Sequence, residues 1–300
     1  MSIKYIKTPV KLMASVIFDF GANIGQNLKY YLLKADKVVC VEANPILIDK
    51  IKVQFNNEIK EGKLIVENIV LVDNDFTHSQ SQFFINEKNH ELSSIIQPQN
   101  QKFYNEIMLN CKSVSKLIKS NINKDDYILL AKFDLENFDN TALKALLNSG
   151  YAPDYISVEA HTQNILESLV SSGKYHGFKV VNGYTVAKYF QNVQIREKSG
   201  KISEHSFKDH SAGPFGDDIS GPWLSKQAIS RKLKLEGFGW KDICATSLDV
   251  PIVHRLSLKY LLKATTIKIL REIVKKLVPL KFRRRATFSR YSSKLLNFKD

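Results

Sequence analysis

The sequence predicts an α/β protein built on a mostly parallel sheet with helices on both faces. Three observations predict it. Short runs that are apolar throughout alternate with helical patterns, the signature of strands buried on both sides of a parallel sheet. The first of these runs ends in a turn bounded by glycines, Asp19-Phe20-Gly21-Ala22-Asn23-Ile24-Gly25. The second is closed by an acid, Glu42, about twenty residues further on. The composition agrees: 44% hydrophobic and 25% charged over 300 residues supplies a core of ordinary size and excludes wholesale disorder. No run reaches about 18 uninterrupted apolar residues, so the pattern contains no spanning helix.

Residues 16–20 read as the first strand and 26–33 as the helix after its turn. Residues 37–42 form the second strand, stopped by Ala43-Asn44-Pro45, with a helix from 45 to about 55. Residues 64–72 read as a third strand. The stretch 73–111 is polar and irregular, rich in Asn, Gln and Ser, with one strand at 82–85. Two further apolar strands at 127–133 and 155–158 flank a helix at 140–147. A helix at 164–170 is followed by strands near 177–181 and 184–191. Residues 199–221 carry His205, His210, Gly213-Pro214, Gly216 and Gly221-Pro222, the composition of an ordered loop, and loops of this length in compact domains commonly serve function. Cys40, Cys111 and Cys244 are widely spaced with no CxxC pair, which points to a reducing compartment and a cytoplasmic protein.

Charge is unevenly spread. Of the formal net +14, residues 254–300 hold +12, fourteen Lys and Arg against Glu272 and Asp300, leaving +2 for residues 1–253. Within that tail, residues 266–278 are amphipathic, with Ile267, Leu270, Ile273, Val274, Leu277 and Val278 on one side and Lys268, Arg271, Lys275 and Lys276 on the other. Pro279 ends the helix, and Lys281-Phe282-Arg283-Arg284-Arg285 follows, with Phe288 and Tyr291 beyond. Such a segment suits peripheral attachment to anionic membrane, at the inner face for a cytoplasmic protein. The same charges suit nucleic-acid phosphates, although no nucleic-acid motif accompanies them, and a helix docked on the core with a solvated basic face is the third reading.

The chemistry gathers at strand ends. In an open parallel sheet, ligands bind beyond the carboxyl ends of the strands, near the switch point. Gly21 and Gly25 allow a tight turn and close approach of a ligand, and Glu42 can bind both hydroxyls of a ribose. The turn carries a carboxylate, Asp19, where a pyrophosphate site would carry glycine. An acid there suits a cationic nucleoside such as S-adenosylmethionine, with its sulfonium and ammonium, better than a dinucleotide. Asp134 with Glu136, and Glu159 with His161, sit two apart at the ends of adjacent strands, so each pair shares a face. Asp134, Glu159 and His161 are the catalytic candidates for taking a proton from a hydroxyl that accepts a methyl group. The same three residues could instead hold Mg or Mn.

These residues resemble a known family. Residues 16–26 (VIFDFGANIGQ), 41–45 (VEANP), 68–70, 130–138 (LAKFDLENF) and 155–159 (YISVE) resemble the FkbM family of S-adenosylmethionine-dependent methyltransferases, over roughly residues 14–195. The fourth-strand motif of that family usually reads KIDxEG. Here Phe133 replaces the Ile and Asn137 the Gly, while Lys132, Asp134 and Glu136 are kept. The resemblance implies a class I, Rossmann-like methyltransferase fold and O-methylation of a sugar, glycan or glycolipid hydroxyl. It would assign Asp19, Gly21, Asn23, Gly25, Glu42, Asn68 and Ser94 to the cofactor. Residues 1–195 are then the cofactor domain, 196–253 an appended loop-rich segment serving as substrate lid, and 254–300 the basic tail. Glu136, His205, His210, Asp217, Asp218 and Trp240 are candidates for acceptor contact, with Trp223 beside them, since aromatics stack on sugar faces and acids bind hydroxyls. Two competing readings are a nicotinamide-dependent oxidoreductase using the same turn, and a non-catalytic module that binds membrane or nucleic acid through its tail.

Overall fold

The computed structural model describes residues 13–277. Five strands form the parallel part of a nine-stranded sheet: β1 (Ser15–Phe20), β2 (Lys37–Val41), β3 (Leu64–Glu67), β7 (Tyr127–Phe133) and β8 (Tyr155–Glu159). The chain runs from β1 through β2 to β3 on one side, then returns to place β7 and β8 on the other. The order therefore reverses between β1 and β7, and a crevice opens above their carboxyl ends. Beyond β8 the sheet continues through β13 (Lys241–Thr246), β9 (Gly177–Asn182), β12 (Trp223–Leu224) and β14 (Ile252–Val253). Strand β13 runs antiparallel to both its neighbours, pairing Asp242 with Glu159 and Val181. The arrangement is a Rossmann-like α/β fold, as the sequence predicts.

Every residue of β1 is buried, because the sheet is covered on both faces. Val16, Phe18 and Phe20 face one core with Phe133, Val158 and Ile243. That core is closed by α4 (Val114–Asn121), α5 (Asp139–Asn148), α6 (Asn164–Ser171) and α8 (Lys226–Glu236). Ile17 faces a second core with Val38, Cys40 and Cys244. Helix α1 (Leu28–Lys34), helix α2 (Pro45–Gln54), the short α3 (Asn56–Lys60) and the aromatic side chains Phe207, Phe215 and Trp223 close that side. A 20-residue helix, α9 (Leu258–Leu277), packs on α8 through Tyr260 and Ala264. Among the described residues no helix is long and apolar enough to cross a membrane.

Several sequence expectations change. The strand expected over residues 64–72 breaks at Asn68: β3 stays in the main sheet, while β4 (Val70–Val72) leaves it to pair with β6 (Tyr104–Ser113). The cause is Asn68 itself, whose amide donates to the Glu42 and Ala43 carbonyls at 3.0 and 2.9 Å and turns the chain across β2. The irregular stretch 73–111 contains a long hairpin, β5 (Gln80–Asn86) with β6, whose polar, half-exposed residues give no apolar signal. Residues 184–191 hold a turn and the short α7 (Val186–Tyr189) in place of a strand. Residues 196–253 are more than a loop-rich appendage. They complete a small hairpin, β10 (Val193–Arg196) with β11 (Ile202–His205), and supply α8, β12, β13 and β14 to the main body. The sheet thus runs across residue 195. Val278, Pro279, Lys281–Arg285, Phe288 and Tyr291 lie outside the described residues.

Candidate functional site

A cleft of about 1050 Å³ opens at the reversal point. The Gly21 turn forms its floor. Gly21 and Ala22 donate backbone N–H groups to the Val41 carbonyl at 2.9 and 3.0 Å, which ties the turn across the end of β2. Gly21 has φ of +85°, and a Cβ there would stand 1.8 Å from the Asp134 carbonyl oxygen. Only glycine fits, so the turn and the end of β7 lie in direct backbone contact. Asn23 also takes a left-handed φ of +51°, and its N–H donates to Glu42 Oε2 at 2.9 Å. The other Glu42 oxygen accepts from Asn44 N–H at 2.8 Å. Glu42 is thereby fixed by two backbone donors, with further lone pairs available to hydroxyls in the cleft it lines. Burial raises its pKa to about 7 against those two hydrogen bonds.

The opposite wall is acidic. Lys132 is buried, 3.0 Å from Asp134 Oδ2 and 3.9 Å from Asp19 Oδ1. Burial works against its charge, but Asp134 and Asp19 outweigh burial and hold its pKa above the ordinary value. Asp19 is raised to about 6 by burial, with Lys132 opposing. Glu159 lies beside Asp134, whose negative charge helps to raise its pKa, and Glu159 Oε2 lies 3.2 Å from His161 Nε2. The result is a continuous array, Lys132–Asp134–Glu159–His161, leading from the buried sheet to the half-exposed imidazole. Burial raises the Glu159 pKa, and the hydrogen bond to Glu159 carries that of His161 up to about 9. Glu136 is pushed up to about 8 by burial, with Asp134 and Glu159 adding to the effect. Asp242, paired in register with Glu159, is buried with Oδ2 unpartnered and its pKa well above the carboxylate range, because burial outweighs the nearby Lys132.

The turn after β7 explains how Asn137 stands where the resembled motif has glycine. Glu136 and Asn137 adopt φ of +46° and +75°, and Asn tolerates this region better than most residues. Ser94, carried by the loop after β5, donates its hydroxyl to the Glu136 carbonyl at 3.2 Å and pins that loop over the cleft. An apolar side of the cleft is formed by Leu47, Ile69, Phe83, Ile95 and Phe138. At the mouth stands an aromatic wall. The Trp240 ring lies against the backbone at Gly183, edge-on to Tyr184 at 5.4 Å and 5.6 Å from His210.

Of the residues singled out in the sequence, Gly21, Asn23, Glu42, Ser94, Asp134, Glu136, Glu159, His161, His210 and Trp240 all line this one cleft. Others lie elsewhere. Asp19 is beneath the floor, paired with Lys132. Gly25 packs against Leu28, Phe55 and Ile51, so it serves the packing of α1 on α2. Asn68 braces the end of β2 from behind. His205, Asp217 and Asp218 are on the other face of the sheet: His205 packs against Tyr30 and Phe207, and Asp218 accepts from Tyr30 Oη at 2.6 Å and Lys34 Nζ at 2.8 Å. Asp217 accepts from the buried indole of Trp223 at 3.1 Å. Between them the chain passes the cleft at Asp209 and His210, then folds back over α1 through Ser211, Phe215 and Asp218. The metal set Asp134, Glu159 and His161 is also corrected, since no group of three His, Cys, Asp or Glu among the described residues is placed to hold a metal ion. Lys132 already occupies Asp134, and Glu159 is committed to His161. Sequence reading passed over Asp242 and Tyr184, and the signal available was their nearness to Trp240 and Gly183 in the chain.

No known family pattern matches the sequence, and no curated protein is matched. Solved structures are. The methyltransferase FkbM from Methylobacillus flagellatus aligns at 15% identity over 59% of this chain, with a TM-score of 0.37, and this chain spans only 43% of its length. An S-adenosylmethionine-dependent O-methyltransferase from Thermotoga maritima aligns at 8% identity over 83% of this chain and 63% of its own, with a TM-score of 0.34. A precorrin-6y C5,15-methyltransferase from Geobacter metallireducens aligns at 11% identity over 78% of this chain and 81% of its own, with a TM-score of 0.32.

Proposed function

We propose that this protein is an S-adenosylmethionine-dependent methyltransferase of the FkbM type, acting on a hydroxyl of a sugar, glycan or glycolipid precursor. One observation carries the reading: the Gly21–Asn23 turn and the backbone-fixed Glu42 form one side of a cleft whose other side is the Asp134–Glu159–His161 array. The donor set fits the cofactor. Glu42 would hold ribose hydroxyls, the apolar side with Ile69 and Phe83 would cover a base, and the carboxylates around Gly21 favour a cation. The same carboxylates oppose a pyrophosphate, which weighs against a nicotinamide cofactor. When bound, S-adenosylmethionine supplies an electrophilic methyl group.

The chain's own residues supply the rest. Holding an acceptor hydroxyl in line at the mouth is worth on the order of 7–11 kcal/mol at best. The aromatic wall of Trp240 and Tyr184 suits a sugar face, and Glu136 and His210 line the same cleft as polar groups for its hydroxyls. Asp134, one-third exposed to the cleft, receives the hydroxyl proton and becomes neutral, beside the Glu159–His161 pair. Lys132 keeps the Asp134 carboxylate oriented.

Calorimetry with purified protein tests the cofactor assignment: Glu42→Ala is expected to weaken S-adenosylmethionine binding at least tenfold, and unchanged binding refutes it. With a competent acceptor, Asp134→Asn is expected to lower kcat by about 10²–10⁴ while leaving cofactor binding in place.

A further inference from the structure

Helix α9 presents an apolar stripe on the side that the protein does not use. Its packed side is set by Tyr260, Ala264, Ile267 and Arg271, spaced i, i+4, i+7 and i+11. Tyr260 Oη donates to Glu236 Oε1 at 2.6 Å, and Arg271 Nη1 donates to the Glu236 carbonyl at 2.6 Å. The sequence pattern places Arg271 on a solvated basic face; the structure turns it inward to the carboxyl end of α8, where a cation meets the helix dipole. The opposite side carries Leu258, Leu262, Ile269 and Ile273, spaced i, i+4, i+11 and i+15, and between 46% and 73% exposed. At about 100° per residue these four fall within an arc of roughly 60°, directed away from α8. Leu270, also exposed, lies beside them, and Lys259 and Lys263 follow on the same flank.

We infer that this stripe is a docking surface for an anionic lipid bilayer, with α9 lying flat at the interface. Charge complementarity selects that occupant. The helix is flanked by lysines, and residues 274–300 add nine Lys and Arg against Asp300 alone. An anionic surface attracts the charge, and a nonpolar layer beneath it accepts the four aliphatic side chains, the two requirements of an interfacial helix. A nucleic acid would use the lysines and leave the aliphatic stripe in water; a second copy of this chain would bring like charge against like. At about 30 Å long, the helix can lie along a surface as one rigid element. It also tethers the cleft there, because Trp240 stands four residues beyond Glu236, within about 14 Å of backbone reach. The inference stands independently of the methyltransferase reading.

The test is flotation of the full chain with vesicles of phosphatidylcholine alone or mixed with phosphatidylglycerol, beside the double variant Leu262→Glu/Ile269→Glu. Both sites are more than half exposed, so the variant keeps its fold and melting temperature. The full chain is expected to float with the mixed vesicles and not with the neutral ones, with binding that falls as salt rises. The double variant is expected to lose at least tenfold in vesicle partition, since burying one Leu or Ile changes a partition coefficient by roughly ten- to a hundredfold. Its S-adenosylmethionine binding is expected to match the parent, which separates this result from any failure of the cofactor assignment. Equal flotation of parent and variant overturns the inference. So does absence of flotation, whether the variant then alters self-association, as a chain–chain contact requires, or both proteins bind single-stranded nucleic acid alike.

Discussion

Gly21 joins the two halves of the site at a single backbone contact, and that contact can be probed by one methyl group. Gly21→Ala places a Cβ against the Asp134 carbonyl and forces a left-handed φ on alanine. Gly62 shares the left-handed conformation, with φ of +72°, but has nothing within 4 Å. Gly62→Ala is therefore expected to cost about 1 kcal/mol and Gly21→Ala at least twice that, as thermal melts of the two variants will measure. The acidic wall makes a second residue-level prediction. A raised folded pKa means that the folded site keeps protons which the unfolded chain releases. The contribution of His161 is fully present below about pH 6.5 and is lost as pH rises through about 9. That of Glu136 is present below about pH 4.5 and is lost as pH rises through about 8. The unliganded protein is expected to lose stability steadily between about pH 5 and 9, and Glu136→Gln to flatten part of that slope in melts recorded against pH. A slope of the opposite sign would contradict the proton-holding array.

At the level of elements, the β7–α5 turn shows how a departure from a familiar pattern can keep its geometry. Asn137 takes φ of +75°, so Asn137→Gly is expected to be neutral or mildly stabilising. Asn137→Val is expected to cost about 1–3 kcal/mol, measured by urea unfolding, because a β-branched residue resists the left-handed region. The sequence announces β1, β2, β7 and β8 closely, since each is mostly apolar and ends at a glycine turn or an acid, and a parallel strand buried on both faces must look like that. It conceals β6, whose Asn105, Glu106 and Asn110 line a half-exposed ribbon. It conceals β13 for the opposite reason: Lys241 and Asp242 open a fully buried strand, and local pattern gives no cause to bury them. Lys241 instead donates to the Gly237 carbonyl at 2.5 Å, and Asp242 lies near Lys132, partners that only the assembled fold supplies. The same limit applies to the site. Strand-end acids follow from register, whereas the destinations of His205, Asp217 and Asp218 depend on a loop path that no periodicity encodes.

On the scale of the whole molecule, residues 196–253 decide between an attached lid and an integral part of the body. Strand β13 has a neighbour on each side, β8 and β9, so removing it strips each of these buried strands of its partner along one edge. A chain truncated after residue 195 is expected to be insoluble or molten, lacking a cooperative melt, whereas removal of a true lid would leave a folded core. The order of assembly follows from the same strand. Asp242 meets Glu159 in register across more than eighty residues of intervening chain, so this pairing closes one of the longest loops in the protein. A ribosome delivers the Gly21 turn and Glu42 early, then the edge of β8, and must add α8 before the strand that fills the gap. Until then β8 and β9 offer open edges to any passing strand, and the wall that holds His161 has no backing. The cofactor side of the cleft can form while synthesis continues; the acceptor side forms only when the sheet is closed, which confines the aggregation-prone interval to a late and identifiable stage of the protein's birth.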